Sequence, residues 1–262
     1  MIHQLAVVHP KAEIGENVTI EPFTTISADV KIGEGTWIGP NVTIMDGARI
    51  GKNCKIFPGA VISAIPQDLK FKGEYTTLEV GDNTTVRECC TLNRGTAAKG
   101  KTVIKNNCLL MTYTHIAHDC EIGNNCIVGN AAQIAGEVVM EDFAILSGLS
   151  GVHQFVRIGQ HSFISGASRV GKDVPPYTIA AHDPLSYVGI NLVGLQRRGF
   201  EKQTLKEIRD IYRILYQSKL NYSNAILKIE AQFSQSEERD AIINFVKNSE
   251  RGIMKGFNEM KV

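Results

Sequence analysis

The sequence predicts a parallel β-helix built from six-residue repeats, an all-β scaffold followed by a small C-terminal α-helical domain. Three observations predict it. First, aliphatic residues recur at every sixth position from Val8 through Ile14, Ile20, Ile26, Ile32, Ile38, Ile44, Ile50, Ile56 and Ile62, and an unbroken short period marks a stacked-repeat architecture. The register resumes at Val80, Val86 and Leu92, and again from Ile104 to Val170. Second, four residues after these aliphatics stand small or β-branched residues, as at Val18, Thr24, Val30, Thr36 and Cys54. Third, beyond Pro175 and Pro176 the apolar spacing turns helical, with Leu205, Ile208, Ile211, Tyr212 and Leu215 on one stripe.

Taking the aliphatic as position one, positions five and one flank an outward position six, which is the in–out–in order of a short strand. Positions two to four must turn a corner. Position four carries Asn17, Gly35, Asn41, Gly47, Asn53, Gly59, Asn83, Asn107 and Asn125, residues that tolerate positive φ. Three strands and three corners close one coil of 18 residues, and coils stack about 4.8 Å apart through ladder hydrogen bonds. Cys54, Cys90, Cys108, Cys120 and Cys126 fall on the small inward position, so packing accounts for them without disulfides or a metal. Two stretches break the register, one near 63–79 containing Gln67-Asp68-Leu69-Lys70 and one near 93–103 containing Asn93-Arg94-Gly95. Loops extruded from a regular solenoid are the first places to look for binding. The expected organisation is therefore 1–190 for the β-helix and 191–262 for the helical domain. The latter should hold a helix from about Phe200, a second from Ala225 to Phe233, and a third opened by the capping-box pattern Ser234-x-x-Glu237, with Gly252 as a stop.

Counting by 18 reads columns along the prism. Leu109, Ile127, Ile145 and Phe163 share one outward column; four apolar side chains there call for cover, by another copy in a cyclic homo-oligomer or by the chain's own C-terminal segment. The next face reads His115, Gln133, Gly151 and Arg169, polar and open enough to line a cleft. A formal net charge of +1 gives no global field toward nucleic acid. No apolar run reaches the roughly 18 residues of a membrane span, and Met1 to Leu5 show no signal-peptide pattern. These features fit a cytoplasmic protein without membrane insertion.

Of seven histidines, His115 and His118 lie together in Thr114-His115-Ile116-Ala117-His118-Asp119-Cys120. Counting 18 from His118 gives Gly136, and 18 more gives Gln154. An imidazole can take a proton from a hydroxyl, and a backbone N–H at a glycine corner can stabilise an oxyanion. That combination suits acyl transfer. Spacing alone equally allows ordinary exposed histidines and a corner glycine. Asp119 either orients His118 or serves its turn, and His153, beside Gln154, either joins the cleft or makes a structural hydrogen bond.

The runs His115-Ile116-Ala117-His118-Asp119-Cys120, Gln67-Asp68-Leu69-Lys70, Val152-His153-Gln154-Phe155, Asp173-Val174-Pro175-Pro176 and Gly194-Leu195-Gln196-Arg197-Arg198-Gly199-Phe200 resemble those of the acyl-carrier-protein-dependent UDP-N-acetylglucosamine O-acyltransferases. These are the first enzymes of lipid A synthesis, and the resemblance spans essentially the whole chain. It implies a left-handed coil and transfer of a 3-hydroxyacyl group from acyl carrier protein to the 3-hydroxyl of UDP-N-acetylglucosamine. It implies that His118 is the general base, that the Gly136 N–H holds the oxyanion, and that Asp68, Lys70 and His115 position the sugar with Gln67, His153 and Gln154 nearby. Asn191, Arg197 and Arg198 would contact the nucleotide or its phosphates, where a guanidinium fits phosphate through paired donors. Gly166, with Gly148 one coil below, would bound the acyl chain. The resemblance implies a homotrimer with sites between subunits. It also implies no cofactor of the enzyme's own, the acyl donor being carried on the phosphopantetheine of the carrier. Glu137, Val193 and Asn93 depart from the family pattern, which leaves a UDP-diamino-sugar acceptor as an alternative. A coenzyme A-dependent hexapeptide acetyltransferase is a second alternative, but it does not explain the loops and the helical tail together. A zinc-dependent carbonic anhydrase of similar repeat lacks its earlier ligand here, since no histidine lies between His9 and His115.

Overall fold

In a computed structural model of the chain, described over residues 1–256, the six-residue period becomes a three-sided prism. Most strands are two residues long, a position six and the following position one. The first sheet stacks nine strands from Val7–Val8 to Arg169–Val170, the second eight from Glu13–Ile14 to Arg157–Ile158. The third has eleven, running from Thr19–Ile20 to Lys255–Gly256. Coil-to-coil pairing is parallel, and Leu109 sits over Ile127, Ile127 over Ile145 and Ile145 over Phe163, as the column count requires. The column His115, Gln133, Gly151, Arg169 is likewise in register.

Position-one aliphatics such as Ile38, Ile56, Ile62, Leu110 and Ile116 are fully buried, and the small position-five residues, including Cys54, Cys90, Cys108, Cys120 and Cys126, fill the space between them. Each such aliphatic contributes roughly 1.5–3 kcal/mol of burial against the entropy of ordering. The nine predicted corner residues all have positive φ, for example 57° at Asn17 and 71° at Gly35. So do Phe143, Leu149 and Phe155 at the same position of later corners, so the stacked ladder imposes the left-handed backbone even on side chains that resist it.

Thr178–Ala181, which pairs parallel with Phe163–Ile164 in the third sheet, pairs antiparallel with Ser186–Ile190 on its other side, and Lys255–Gly256 then joins Ser186–Ile190 in parallel. Four helices follow: α1 (Leu192–Arg197), α2 (Lys202–Gln217), α3 (Tyr222–Gln232) and α4 (Glu237–Lys247). The predicted stripe of α2 is its buried face. The short α1 had no periodic signal. The expected capping box is displaced: Ser236 rather than Ser234 caps α4, accepting from the Arg239 N–H at 3.2 Å, while its hydroxyl donates to Glu207 on α2 at 2.7 Å. Tertiary anchoring to Glu207 selects the cap. The α4 helix stops at Asn248, before Gly252, which lies in a return segment whose carbonyl accepts from the Asp173 N–H. The remainder of the expected helical domain, 257–262, lies outside the described residues.

Candidate active site

The corner between the first and second sheets carries His118, Gly136 and Gln154 one coil apart. The Glu137 N–H donates to the His118 carbonyl at 3.0 Å and the Phe155 N–H to the Gly136 carbonyl at 3.3 Å, so the ladder itself fixes their spacing. His118 is 9% exposed, and its Nδ1 lies 2.8 Å from Oδ2 of Asp119. Asp119 holds φ at 59° at its corner and also bonds the imidazole, so the turn and the contact with His118 coexist in one residue. Its buried carboxylate accepts the Thr96 N–H (2.9 Å) and the Lys99 N–H (3.2 Å) on Oδ1, and the Thr96 hydroxyl (2.6 Å) on Oδ2. A carboxylate filled by these donors acts as acceptor toward His118. With a carboxylate as its partner Nδ1 is the donor, which in the neutral ring leaves the lone pair on Nε2. That Nε2 faces the open side, 3.7 Å from Oδ2 of Asp68, too far for a direct hydrogen bond.

Gly136 packs against the ring of His118. A Cβ built on it would stand 2.6 Å from both Cε1 and Nε2. Among the described residues, nothing accepts from its N–H. At the same step of other corners the N–H meets an oxygen from the next coil, as Asp82 meets Asn106 at 2.7 Å and Asn124 meets Asp142 at 2.8 Å. The Gly136 N–H, on a corner packed against the imidazole, thus has no acceptor among the described residues.

The first insertion closes over this corner and makes a cleft of about 530 Å³, lined by Gln67, Asp68, Lys70, Asn93, His115, His118, Gly136 and Gln154. The Lys70 N–H bonds Asp68 Oδ1 at 2.9 Å, a local turn that fixes the carboxylate. Glu74 accepts the Ala97 N–H at 2.9 Å and ties the two insertions together. His115 bonds Thr91 Oγ1 at 2.7 Å; burial pushes its imidazole below the usual range, and hydrogen bonding to Thr91 opposes that. Asn93 is buried and donates to the Ile65 carbonyl at 2.9 Å, so it holds the base of the first insertion. His153, exposed, has Nδ1 3.1 Å from the Gln154 carbonyl and lines the neighbouring stretch of the same face with His115 and Arg169.

Other expected residues lie elsewhere on the chain. Asn191 is buried, caps α1 and donates to the His161 carbonyl at 2.9 Å. Arg198 donates to the Phe143 carbonyl at 3.2 Å with its guanidinium over the Phe143 ring, and Arg197 is exposed. Asn191 and Arg198 thus sit by the corner between the second and third sheets, with Arg197 ending α1 just before Arg198. Gly148 and Gly166 stack on the remaining corner, where the Ala167 N–H donates to the Gly148 carbonyl. One chain therefore presents the expected residues on three different edges. Val193 is exposed on α1, and Glu137 follows Gly136 with φ 60°. Sequence reasoning missed Thr91, Thr96, Lys99 and Thr102. Among the described residues no group of three or more His, Cys, Asp or Glu could hold a metal ion, and no helix is long and apolar enough to cross a membrane.

Residues 173–254 match the family described as UDP-N-acetylglucosamine O-acyltransferase, domain 2, and 29–64 and 101–136 match the bacterial transferase hexapeptide repeat. An acyl-[acyl-carrier-protein]–UDP-N-acetylglucosamine O-acyltransferase of Myxococcus xanthus is 46% identical over 253 residues, 96% of this chain and 98% of that one. The crystal structure of a UDP-N-acetylglucosamine acyltransferase from Bacteroides fragilis superposes with a TM-score of 0.96 at 52% identity, covering 97% of this chain and 100% of that one. One from Francisella novicida gives 0.95 at 42%, covering 98% and 95%. With these matches comes the left-handed sense of the coil.

Proposed function

The chain belongs to the UDP-N-acetylglucosamine O-acyltransferase family, and we propose that it carries out that family's reaction, the first step of lipid A synthesis. It moves a 3-hydroxyacyl chain from acyl carrier protein to the 3-hydroxyl of UDP-N-acetylglucosamine. His118 Nε2 takes the hydroxyl proton as the sugar oxygen attacks the thioester carbonyl. The tetrahedral oxyanion is held by the Gly136 N–H. Collapse breaks the carbon–sulfur bond, and the imidazolium returns its proton to the departing phosphopantetheine thiolate. Asp119 keeps the ring in the Nδ1–H form. Asp68, Lys70, Gln67 and His115 position the sugar, with Gln154 and His153 along the same face; a neutral His115 suits a neutral hydroxyl. The chain needs no cofactor of its own, since the donor arrives on the carrier.

Asn191, Arg197 and Arg198 serve the nucleotide, and Gly148 and Gly166 the acyl chain, across a boundary between copies. What supports a homotrimer is the separation of these residues from His118 within one chain, together with the half-buried apolar column Leu109, Ile127, Ile145, Phe163. Cyclic association lets one copy's edge face a different edge of the next. Six free cysteines suit the reducing cytoplasm.

The observation that carries the reading is an imidazole bonded to a buried carboxylate, its Nε2 in one cleft with the Gly136 N–H, which has no acceptor among the described residues. The test is transfer from 3-hydroxyacyl carrier protein to UDP-N-acetylglucosamine by the wild type and by His118→Ala. Loss of about 10²- to 10⁴-fold in kcat is expected for removal of a general base; a wild-type rate in the variant would dismiss His118 as that base.

A further inference from the structure

We propose that Thr96, on the second insertion, is a positioning residue for this transfer, acting through Asp119 to hold the His118 ring; the inference rests on the function proposed above. Thr96 makes two contacts with one carboxylate. Its N–H reaches Oδ1 at 2.9 Å and its hydroxyl reaches Oδ2 at 2.6 Å, the same oxygen that takes His118 Nδ1. This pair fixes the plane of the carboxylate and points Oδ2 at the imidazole. The rest of the insertion clamps the backbone of Asp119: its N–H donates to Thr102 Oγ1 at 2.8 Å, and its carbonyl accepts Lys99 Nζ at 3.2 Å. Thr96, Thr102 and Asp119 are all buried, and neither threonine lines the cleft. The insertion therefore touches the reacting groups from behind, where it can set orientation without meeting substrate. A hydrogen bond to a charged acceptor made in a buried place is among the stronger ones.

The experiment is steady-state transfer with full-length Thr96→Val, which keeps the volume and the N–H and removes the hydroxyl. A fall in kcat of about ten- to a hundredfold, with KM for both substrates within about twofold, is expected from loss of one such bond. Thr96→Ser should restore most of the rate. In an Asp119→Ala background Thr96→Val should cost nothing further, because the group it acts through is gone. Full additivity in that background, a loss expressed in KM, or a Thr96→Val rate equal to wild type would each overturn the proposal. Thermal unfolding controls for folding, and Thr96→Ala in the same two backgrounds replaces the valine if Thr96→Val does not fold. A wild type without transfer activity would instead reject the proposed function, so the two failures are distinguishable.

Discussion

Gly136→Ala tests the site at its narrowest point. The new Cβ would lie 2.6 Å from His118 Cε1 and Nε2 and 3.1 Å from Nδ1, whereas comfortable carbon contacts begin at about 3.5 Å. Either the ring or the corner must retreat by about 0.9 Å. The corner is held on both sides by the Glu137 to His118 and Phe155 to Gly136 ladder bonds, so the ring is the softer partner. Its retreat strains the 2.8 Å bond to Asp119 and swings Nε2 off the line to the acceptor hydroxyl. A misplacement near 1 Å can cost about 10²-fold in rate, and that is the expected fall in kcat.

Gly136 does not need the left-handed backbone, since it is absent from the positive-φ glycines. Alanine therefore adds no backbone strain, and the melting temperature should move by only a few degrees, as for a change of about 1 kcal/mol or less. The assay is kcat and KM for transfer beside a thermal melt. A Gly136→Ala enzyme with wild-type kcat would refute the tight apposition of ring and corner. A large loss of stability with unchanged kcat in the folded fraction would show that the corner, and not the ring, yields.

Two further perturbations probe other parts of the molecule. His161 stacks on Phe143 and Tyr177, and burial, assisted by Arg198, pushes its imidazole down to about 4; the unfolded chain therefore binds this proton first as pH falls, and stability present above about pH 6.5 erodes toward pH 4. His161→Phe should flatten the fall of melting temperature across that window, and an unchanged slope would show that other groups govern acid unfolding. Ile145→Glu places a charge in the apolar outward column between Ile127 and Phe163 and should yield monomers of 28.7 kDa by sedimentation, since an unpaired charge in a subunit interface is costly; an unchanged oligomer would place the interface elsewhere.

The coil was legible in the sequence because a strand of two residues leaves little freedom. A position-one aliphatic that points anywhere but inward would break the stack, so Ile14 to Ile62 report the fold almost directly. The same regularity made His118, Gly136 and Gln154 countable. Legibility failed where the period failed. Thr96 and Lys99 sit inside an insertion, where no register says which way a side chain faces, so their partner Asp119 could be singled out beside His118 while its own supports could not. Thr91 lies 24 residues from His115 and pairs with it in register, so a count of 18 passes it by; only a count across the insertion finds it. Asn191 and Arg198 follow the break at Pro175 and Pro176, after which columns no longer assign an edge. The shift of the α4 cap from Ser234 to Ser236 had a tertiary cause, Glu207, which local pattern does not contain.

Two different devices thus set the geometry of the site. The ladder fixes distance: His118, Gly136 and Gln154 stand one coil apart because their backbones are bonded rung to rung, and no loop can alter that spacing. The insertions fix direction: one brings Asp68 within 3.7 Å of the imidazole, and the other turns Asp119 toward it from behind. Loss of a core aliphatic far from the site, such as Ile38, should therefore appear mainly as stability, about 2–5 kcal/mol for truncation to alanine. Loss of a polar contact in an insertion should appear mainly as rate. A solenoid separates the two because each coil contacts only its neighbours, so a defect in packing several coils away has no rigid path to the ring of His118.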